Sequence, residues 1–92
     1  MEENFCIAAF RSRQQVMAYD HALRLLGAHP AIITTPRAVS TGCGLSVRFA
    51  PAEWEKARAA YQRMPPGNLV GFYRVVRDDL GRTIVRPLNI RS

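Results

Sequence analysis

The sequence predicts an α+β fold with the element order β-α-β-β-α-β, in which two helices cover one face of a four-stranded antiparallel sheet. Short apolar and β-branched runs alternate with two longer segments whose apolar residues recur at spacings of three and four. Pro, Gly or a helix-capping residue marks each change between the two patterns. This arrangement is the ferredoxin-like plan, followed here by a C-terminal extension.

The length and composition of the chain favour a single soluble domain. Its 92 residues suffice for one modest hydrophobic core, and 48% hydrophobic with 22% charged residues is typical of globular proteins. We expect this domain at residues 1–76 and the extension at 77–92. No apolar run approaches the length of a membrane span, and the first residues lack the basic region of a secretory signal. The expected location is the cytoplasm.

The first half of the chain predicts a strand and a helix. Residues 5–10 form a short apolar run with aromatic ends, as expected for a central strand. Ser12 and Gln15 match a capping box, in which each side chain bonds to the backbone amide of the other residue. The helix that begins there ends at Gly27. Its apolar face comprises Val16, Tyr19, Leu23 and Leu26.

The second half predicts three strands and another helix. Residues 31–35 and 45–49 are predicted strands, and residues 69–76 form the fourth after a helix that begins at Pro51. The apolar face of this helix comprises Trp54, Ala57, Tyr61 and Met64. Residues 77–83 are a predicted turn. The sheet face opposite the helices is predicted to be uncovered. Two roles are open for the extension at 77–92: it returns as an added strand of the sheet, or it covers that face. A second copy of the chain is the other candidate cover.

The charge pattern points to anionic partners without specifying their class. The formal net charge is +6, but the basic residues are dispersed and no aromatic-rich strand motif of an RNA-recognition domain is present. Nucleic-acid binding is therefore supported by net charge alone. His21 and His29 have no partner at metal-ligand spacing, and no acid–base pair is evident. We predict no metal site and no cofactor, and independent catalysis is the least favoured class.

Cys43 is the most informative residue, because the predicted strand directions place its loop beside the start of the first helix. The positive end of the helix dipole and the arginines expected there, Arg11, Arg13 and Arg37, favour thiolate over thiol. Gly42 and Gly44 flank the sulfur and permit several amides to converge on an anion. The alternative is a tight turn in which the small residue happens to be cysteine.

Two hydroxyl residues and the second cysteine complete this interpretation. Ser40 and Thr41 precede Cys43 and supply candidate hydroxyl donors. Cys6 lies inside an apolar strand, where a buried, inert thiol is expected. If the first and third strands pair with Leu45 near Phe10, Cys6 lies too far from Cys43 for a disulfide.

The loop from Pro36 to Leu45 resembles the signature of the selenium/sulfur (Se/S) carrier protein-like family of small bacterial proteins. Pro, Arg, Ser, Cys and Gly recur there in one fixed order over nine residues. The resemblance extends over residues 5–74 and leaves the extension outside. It implies that Cys43 accepts sulfur or selenium as a persulfide or selenosulfide. Arg37 would then give electrostatic support, and Ser40, Gly42 and Gly44 would shape the loop.

The same resemblance implies partner proteins. A donor such as a cysteine desulfurase would load Cys43, and an acceptor enzyme would unload it through a mixed-disulfide type of intermediate. A carrier of this kind is not an independent enzyme. The competing hypothesis is a regulatory or protein-interaction module that binds a partner through the open sheet face, for which Cys43 is dispensable.

Overall fold

Five strands and two α-helices make up the part of the chain that the structure, a computed structural model, describes: residues 3–39, 42–64 and 68–89. The elements in chain order are β1 Glu3–Phe10, α1 Arg13–Leu25, β2 Ala31–Thr34, β3 Leu45–Phe49, a 3₁₀ turn Pro51–Glu53, α2 Trp54–Gln62, β4 Leu69–Arg77 and β5 Thr83–Leu88. The predicted strands and helices therefore occur where the apolar periodicity placed them, with small differences at their ends.

All five strands belong to one sheet with the order β2-β3-β1-β4-β5, in which every neighbouring pair is antiparallel. This confirms an α+β fold with a single antiparallel sheet and two helices. The prediction of four strands is wrong, because the C-terminal extension supplies β5, which pairs with β4 from Phe72–Leu88 to Arg77–Thr83. Of the roles left open for the extension, the structure shows the added strand. With this added strand the order is not a clear ferredoxin-like pattern.

The turn between β4 and β5 explains why the extension returns to the sheet. One carboxylate oxygen of Asp78 accepts hydrogen bonds from the amides of Leu80 (3.0 Å) and Arg82 (2.9 Å), and Gly81 adopts a positive φ of 79°. The bond from the Arg82 amide is the main cause that holds the pKa of Asp78 below its ordinary value. An acidic residue that bonds to amides further along the chain is a strong turn former, so the two strands meet as a hairpin.

Both helices pack on one face of the sheet, here called the helix-side face. Cys6, Ala8 and Phe10 of β1 point to this face. The buried Tyr19 of α1 lies at its centre, and its hydroxyl donates a 2.6 Å hydrogen bond to the carbonyl of Ala57 in α2. Burial raises the pKa of Tyr19. This bond joins the two helices across the core.

The start of α1 lies where the capping residue predicted it, but the predicted capping box is wrong. Ser12 has the extended backbone of an N-cap and makes no side-chain capping bond. The helix opens instead with a 3.2 Å bond from the Val16 amide to the Ser12 carbonyl. The buried Oε1 atom of Gln15 has no hydrogen-bond partner among the described residues. The start of α1 is therefore stabilised by backbone hydrogen bonding and not by a side-chain cap.

The opposite side of the sheet, here called the second face, is covered at its centre. Phe5 and Ile7 of β1 and Val75 of β4 are at most 2% exposed there. Val39, from the segment between β2 and β3, packs onto them, and the Arg48 guanidinium lies 4.0 Å above the ring of Phe5. The predicted open face is therefore wrong, because a loop closes over it.

Glu53 connects the start of α2 to the segment that follows α1. Its carboxylate accepts hydrogen bonds from the amides of His29 (2.9 Å) and Ala50 (3.2 Å). Burial alone would raise the pKa of Glu53, but these two bonds and the nearby charges of His29 and Lys56 outweigh it and lower the pKa. The carboxylate form is thus favoured by the folded state.

We predict that Glu53→Gln lowers the free energy of unfolding by about 1 kcal/mol at neutral pH, since a charged acceptor of two backbone amides is lost. A lowered pKa contributes stability above the ordinary value of 4.5, and that contribution disappears as the pH falls through the folded-state value. The difference in the free energy of unfolding between wild type and Glu53→Gln should therefore become smaller in acid. Urea unfolding at several pH values measures this difference.

Glu55→Gln is the matched control, because the side chain of Glu55 is 81% exposed and contacts Arg58 on the surface of the same helix. This variant should lose only about 0.3 kcal/mol. Equal losses for the two variants, or a gap that widens in acid, would show that Glu53 does not connect these segments.

Candidate functional site

The Cys43 loop, residues 35–44, is fastened to the end of the central strand. The amide of Cys43 donates a 3.0 Å hydrogen bond to the carbonyl of Phe10, the last residue of β1. The amide of Thr35 donates a 2.9 Å bond to the carbonyl of Gly44, which closes the loop on itself. Since α1 begins at Arg13, Cys43 lies at the end of the sheet where this helix starts, as the predicted strand directions require.

The two thiols are well separated. Cys6 pairs with Phe49 in the register of β1 and β3, and it lies four residues before Phe10. At ~3.3 Å per residue this is ~13 Å along the strand, beyond the ~7 Å Cα separation that a disulfide allows. Both cysteines are free. The two thiols therefore cannot form a disulfide with each other.

Cys6 is sealed inside the helix-side core. Its side chain is 2% exposed, and burial raises the pKa of the Cys6 thiol, with partial opposition from the charge of Arg74. At neutral pH the thiol is protonated and out of reach of a partner. This environment fits the structural role expected for Cys6.

Cys43 is half-buried and packs against the edge of the same core. Its Sγ lies 3.7 Å from the carbonyl oxygen of Leu45, the position of a weak S–H donor. A thiolate has no proton to give to this carbonyl, so a reacting sulfur turns away from it. The neighbours Gly42 and Gly44 are exposed, which leaves that part of the loop open to solvent.

The two glycines have different reasons to be glycine. Both adopt positive φ, 110° at Gly42 and 87° at Gly44. A Cβ atom at Gly42 would also lie 2.8 Å from the Phe10 carbonyl oxygen and 3.3 Å from Val70, whereas one at Gly44 would meet no atom within 4 Å. Only Gly42 is required both by its conformation and by a close approach of backbone to backbone.

The sequence predicted that several backbone amides around Cys43 converge on a bound anion, but the amide of Cys43 itself is not available for this. The Cys43 amide is occupied by the Phe10 carbonyl and cannot also bind a sulfur anion. Ser40 and Thr41 lie outside the described residues, so the hydroxyl donors expected from them stay predictions. The described positive features beside Cys43 are the start of α1 and the exposed residues Arg11 and Arg13.

Arg37 lies elsewhere. It lines a recess on the second face together with Arg77 of β4 and Thr83 of β5. Arg77 pairs with Glu3, at the opposite end of β1 from Phe10. The structure therefore does not bring Arg37 and Cys43 together, and the supporting role of Arg37 stays a prediction without a contact behind it.

Two residues that build the site were not found from the sequence. The carbonyl of Phe10 holds Cys43, but a backbone acceptor leaves no signal in the identity of its residue. Val39 anchors the first half of the loop, with 8% of its surface exposed. A large apolar side chain within a loop of small and polar residues was the available signal for that anchor.

The described residues contain neither a metal-binding cluster nor a membrane-spanning helix. Within residues 3–39, 42–64 and 68–89, no group of three or more His, Cys, Asp or Glu side chains is arranged to hold a metal ion. His29 is 92% exposed and lies 3.7 Å from Glu53, remote from Cys43. Across these same residues, no helix has the length and apolar character needed to span a membrane.

Comparison with known proteins gives one match. The model of the family described as "Putative Se/S carrier protein-like" matches residues 5–65, which include most of β1, both helices and the whole Cys43 loop. The match ends before β4 and β5. No curated protein and no solved structure matches the chain.

The two glycines provide a matched test of the loop geometry. We predict that Gly42→Ala lowers the free energy of unfolding by about 2 kcal/mol or more, and Gly44→Ala by about 1 kcal/mol, because both are strained at positive φ but only the first pushes on the Phe10 carbonyl. Denaturant unfolding measures both losses. Amide hydrogen exchange at Cys43 should accelerate more in Gly42→Ala. An equal or larger loss in Gly44→Ala would refute the close approach.

Proposed function

We propose that this chain, which belongs to the Se/S carrier protein-like family, carries sulfur or selenium as a persulfide or selenosulfide on Cys43. The observation that supports this most directly is the contrast between its two thiols. Cys6 is buried, whereas Cys43 is half-buried between exposed glycines in a loop held at the start of a helix. The family match includes this loop, which supports Cys43 as the residue that carries the cargo.

Loading on Cys43 is a thiol exchange that needs no external oxidant. The Cys43 thiolate attacks the outer sulfur of a persulfide on the donor protein. A bond forms between Cys43 Sγ and this sulfur, the donor's own S–S bond breaks, and the donor leaves as a thiolate. Unloading is the same exchange, with an acceptor thiolate attacking the outer sulfur on Cys43. With selenium as cargo, the outer atom is selenium throughout.

The surroundings of Cys43 suit an anionic cargo. The Sγ atom of Cys43 lies 3.7 Å from the Leu45 carbonyl oxygen, which can accept a weak hydrogen bond from the S–H form of the empty carrier. A bound persulfide carries its negative charge on the outer atom, one bond further from this carbonyl. The positive end of α1, with Arg11 and Arg13 beside it, then stabilises that charge. Ser40 and Arg37 are the residues whose predicted contributions remain to be measured.

A carrier works between partner proteins, and we propose a cysteine desulfurase as the donor and a cytoplasmic enzyme as the acceptor. The net charge of +6 favours encounter with acidic partners. Carriage needs no substrate cleft, which agrees with a thiol at the surface of a loop.

A second candidate is a protein-interaction module, favoured by a groove of about 510 Å³ on the helix-side face of β4 and β5. Arg74 and Arg86 lie directly opposite each other there, beside Val76, Ile84 and Leu88. Like charges facing each other across two strands destabilise the pair, and an acidic partner would relieve this repulsion. For such a module Cys43 is dispensable.

We predict that a cysteine desulfurase supplied with cysteine adds one sulfur atom to the wild-type chain, detectable as a mass increase that reducing agent reverses. Cys6→Ser should load to the same extent, since the buried thiol is not the acceptor. Cys43→Ser should not load, because it lacks the attacking thiolate. Intact-protein mass spectrometry measures all three, and circular dichroism checks that the variants fold.

Loading of Cys43→Ser to the wild-type level would overturn the proposal, as would failure of the wild-type chain to load from a small-molecule persulfide. If Cys43→Ser also binds the same partners as wild type, the interaction module becomes the better account.

A further inference from the structure

The first half of the Cys43 loop and the start of the β4–β5 hairpin enclose a recess of about 360 Å³ on the second face. Its walls are Pro36, Arg37 and Ala38 from the loop, with Arg77 and Thr83 from the two strands. Arg77 and Thr83 are direct partners across the β4–β5 ladder, so their side chains share one face of the sheet. Two guanidinium groups and a hydroxyl therefore line one concavity.

The positive charge of this recess is incompletely neutralised. Arg37 makes no hydrogen bond or ion pair with any residue in the described part of the chain. Arg77 lies 3.9 Å from Glu3, but the same carboxylate group is also 3.5 Å from Arg48. The Glu3 carboxylate is therefore shared between Arg48 and Arg77 and only partly neutralises Arg77. The nearby carboxylate of Asp78 is occupied by its hydrogen bonds to the hairpin turn.

We infer that this recess is a binding site for a small phosphate-type oxyanion, either inorganic phosphate or the phosphate group of a small monoester. Guanidinium groups present paired N–H donors that match the oxygens of a tetrahedral anion, and the Thr83 hydroxyl supplies a further donor. The volume leaves room for a phosphate group with a small organic substituent. Neither cysteine lines the recess, so this site is separate from the sulfur chemistry proposed for Cys43.

An anion bound in the recess would connect the Cys43 loop to β4. Arg37 is two residues from Val39, whose side chain is packed on the second face. An anion shared by Arg37 and Arg77 would join the loop to β4 by a second connection. The bound anion therefore stabilises the folded chain, because it binds an arrangement that unfolding destroys.

The test is a titration with sodium phosphate at constant ionic strength, followed by the backbone amide resonances of the ¹⁵N-labelled chain. Saturable shifts are expected at Arg37, Ala38, Arg77 and Thr83. Arg37→Gln should weaken binding by roughly tenfold or more, since a charged hydrogen-bonding partner is removed. Arg77→Gln should do the same. Repeating the titration with glycerol phosphate distinguishes the two candidate ligands. Binding tighter than that of inorganic phosphate identifies a monoester as the ligand, and equal binding shows that the site recognises the phosphate group alone.

Arg63→Gln is the matched control, because it removes the same charge from an exposed position at the end of α2, which packs on the helix-side face. It should bind phosphate as wild type does. Linear, non-saturating shifts in the wild-type chain, or equal weakening in Arg37→Gln and Arg63→Gln, would overturn the site. Loading of Cys43 is assayed in phosphate-free buffer, so failure of this inference is distinguishable from failure of the carrier function.

Discussion

The hydrogen bond from the Cys43 amide to the Phe10 carbonyl is the contact on which the site depends. It joins the end of the central strand to the loop that carries the accessible thiol, just before α1 begins. The close approach it requires explains why residue 42 is glycine, since a Cβ atom there would meet the same carbonyl oxygen. A backbone contact thus sets the position of Cys43, while among the described residues the thiol makes one weak hydrogen bond, to the Leu45 carbonyl.

The same loop also completes the hydrophobic core. Its first half places Val39 on the second face, and its last residues place Cys43 against the helix-side core. Burial of a valine side chain contributes about 1.5 to 3 kcal/mol, a sizeable part of the stability of a small domain. The loop therefore cannot leave the sheet without exposing Phe5 and Ile7. A carrier gains from this arrangement, because the thiol is presented at the surface by a segment that the fold holds in place.

Periodicity and turn residues were enough to predict the two helices, four of the strands and the register of β1 with β3, because each depends on local alternation of apolar side chains. The role of the extension was left open, because the hydrogen bonds from Asp78 that form the β4–β5 turn were not recognised in the sequence. The cover of the second face was missed for a different reason, since it needs Val39 to pack onto Phe5, which is distant in sequence. Arg37 belongs to the same motif as Cys43, yet the loop carries it to the far end of β1, since proximity in sequence does not ensure proximity in a loop. Cys43 could be singled out from the sequence because glycines on both sides of a cysteine are a local signal, and its role as acceptor stays a prediction.

The central claim of this account is that Cys43 carries a chalcogen atom in the cell. The most direct measurement is mass spectrometry of the chain isolated from its own cells under non-reducing conditions, with thiols trapped at lysis and the Cys43 and Cys6 peptides compared. The account predicts an additional sulfur or selenium atom on a fraction of the Cys43 peptide and none on the Cys6 peptide. A Cys43 peptide that is never modified, or one modified no more than Cys6, would contradict it.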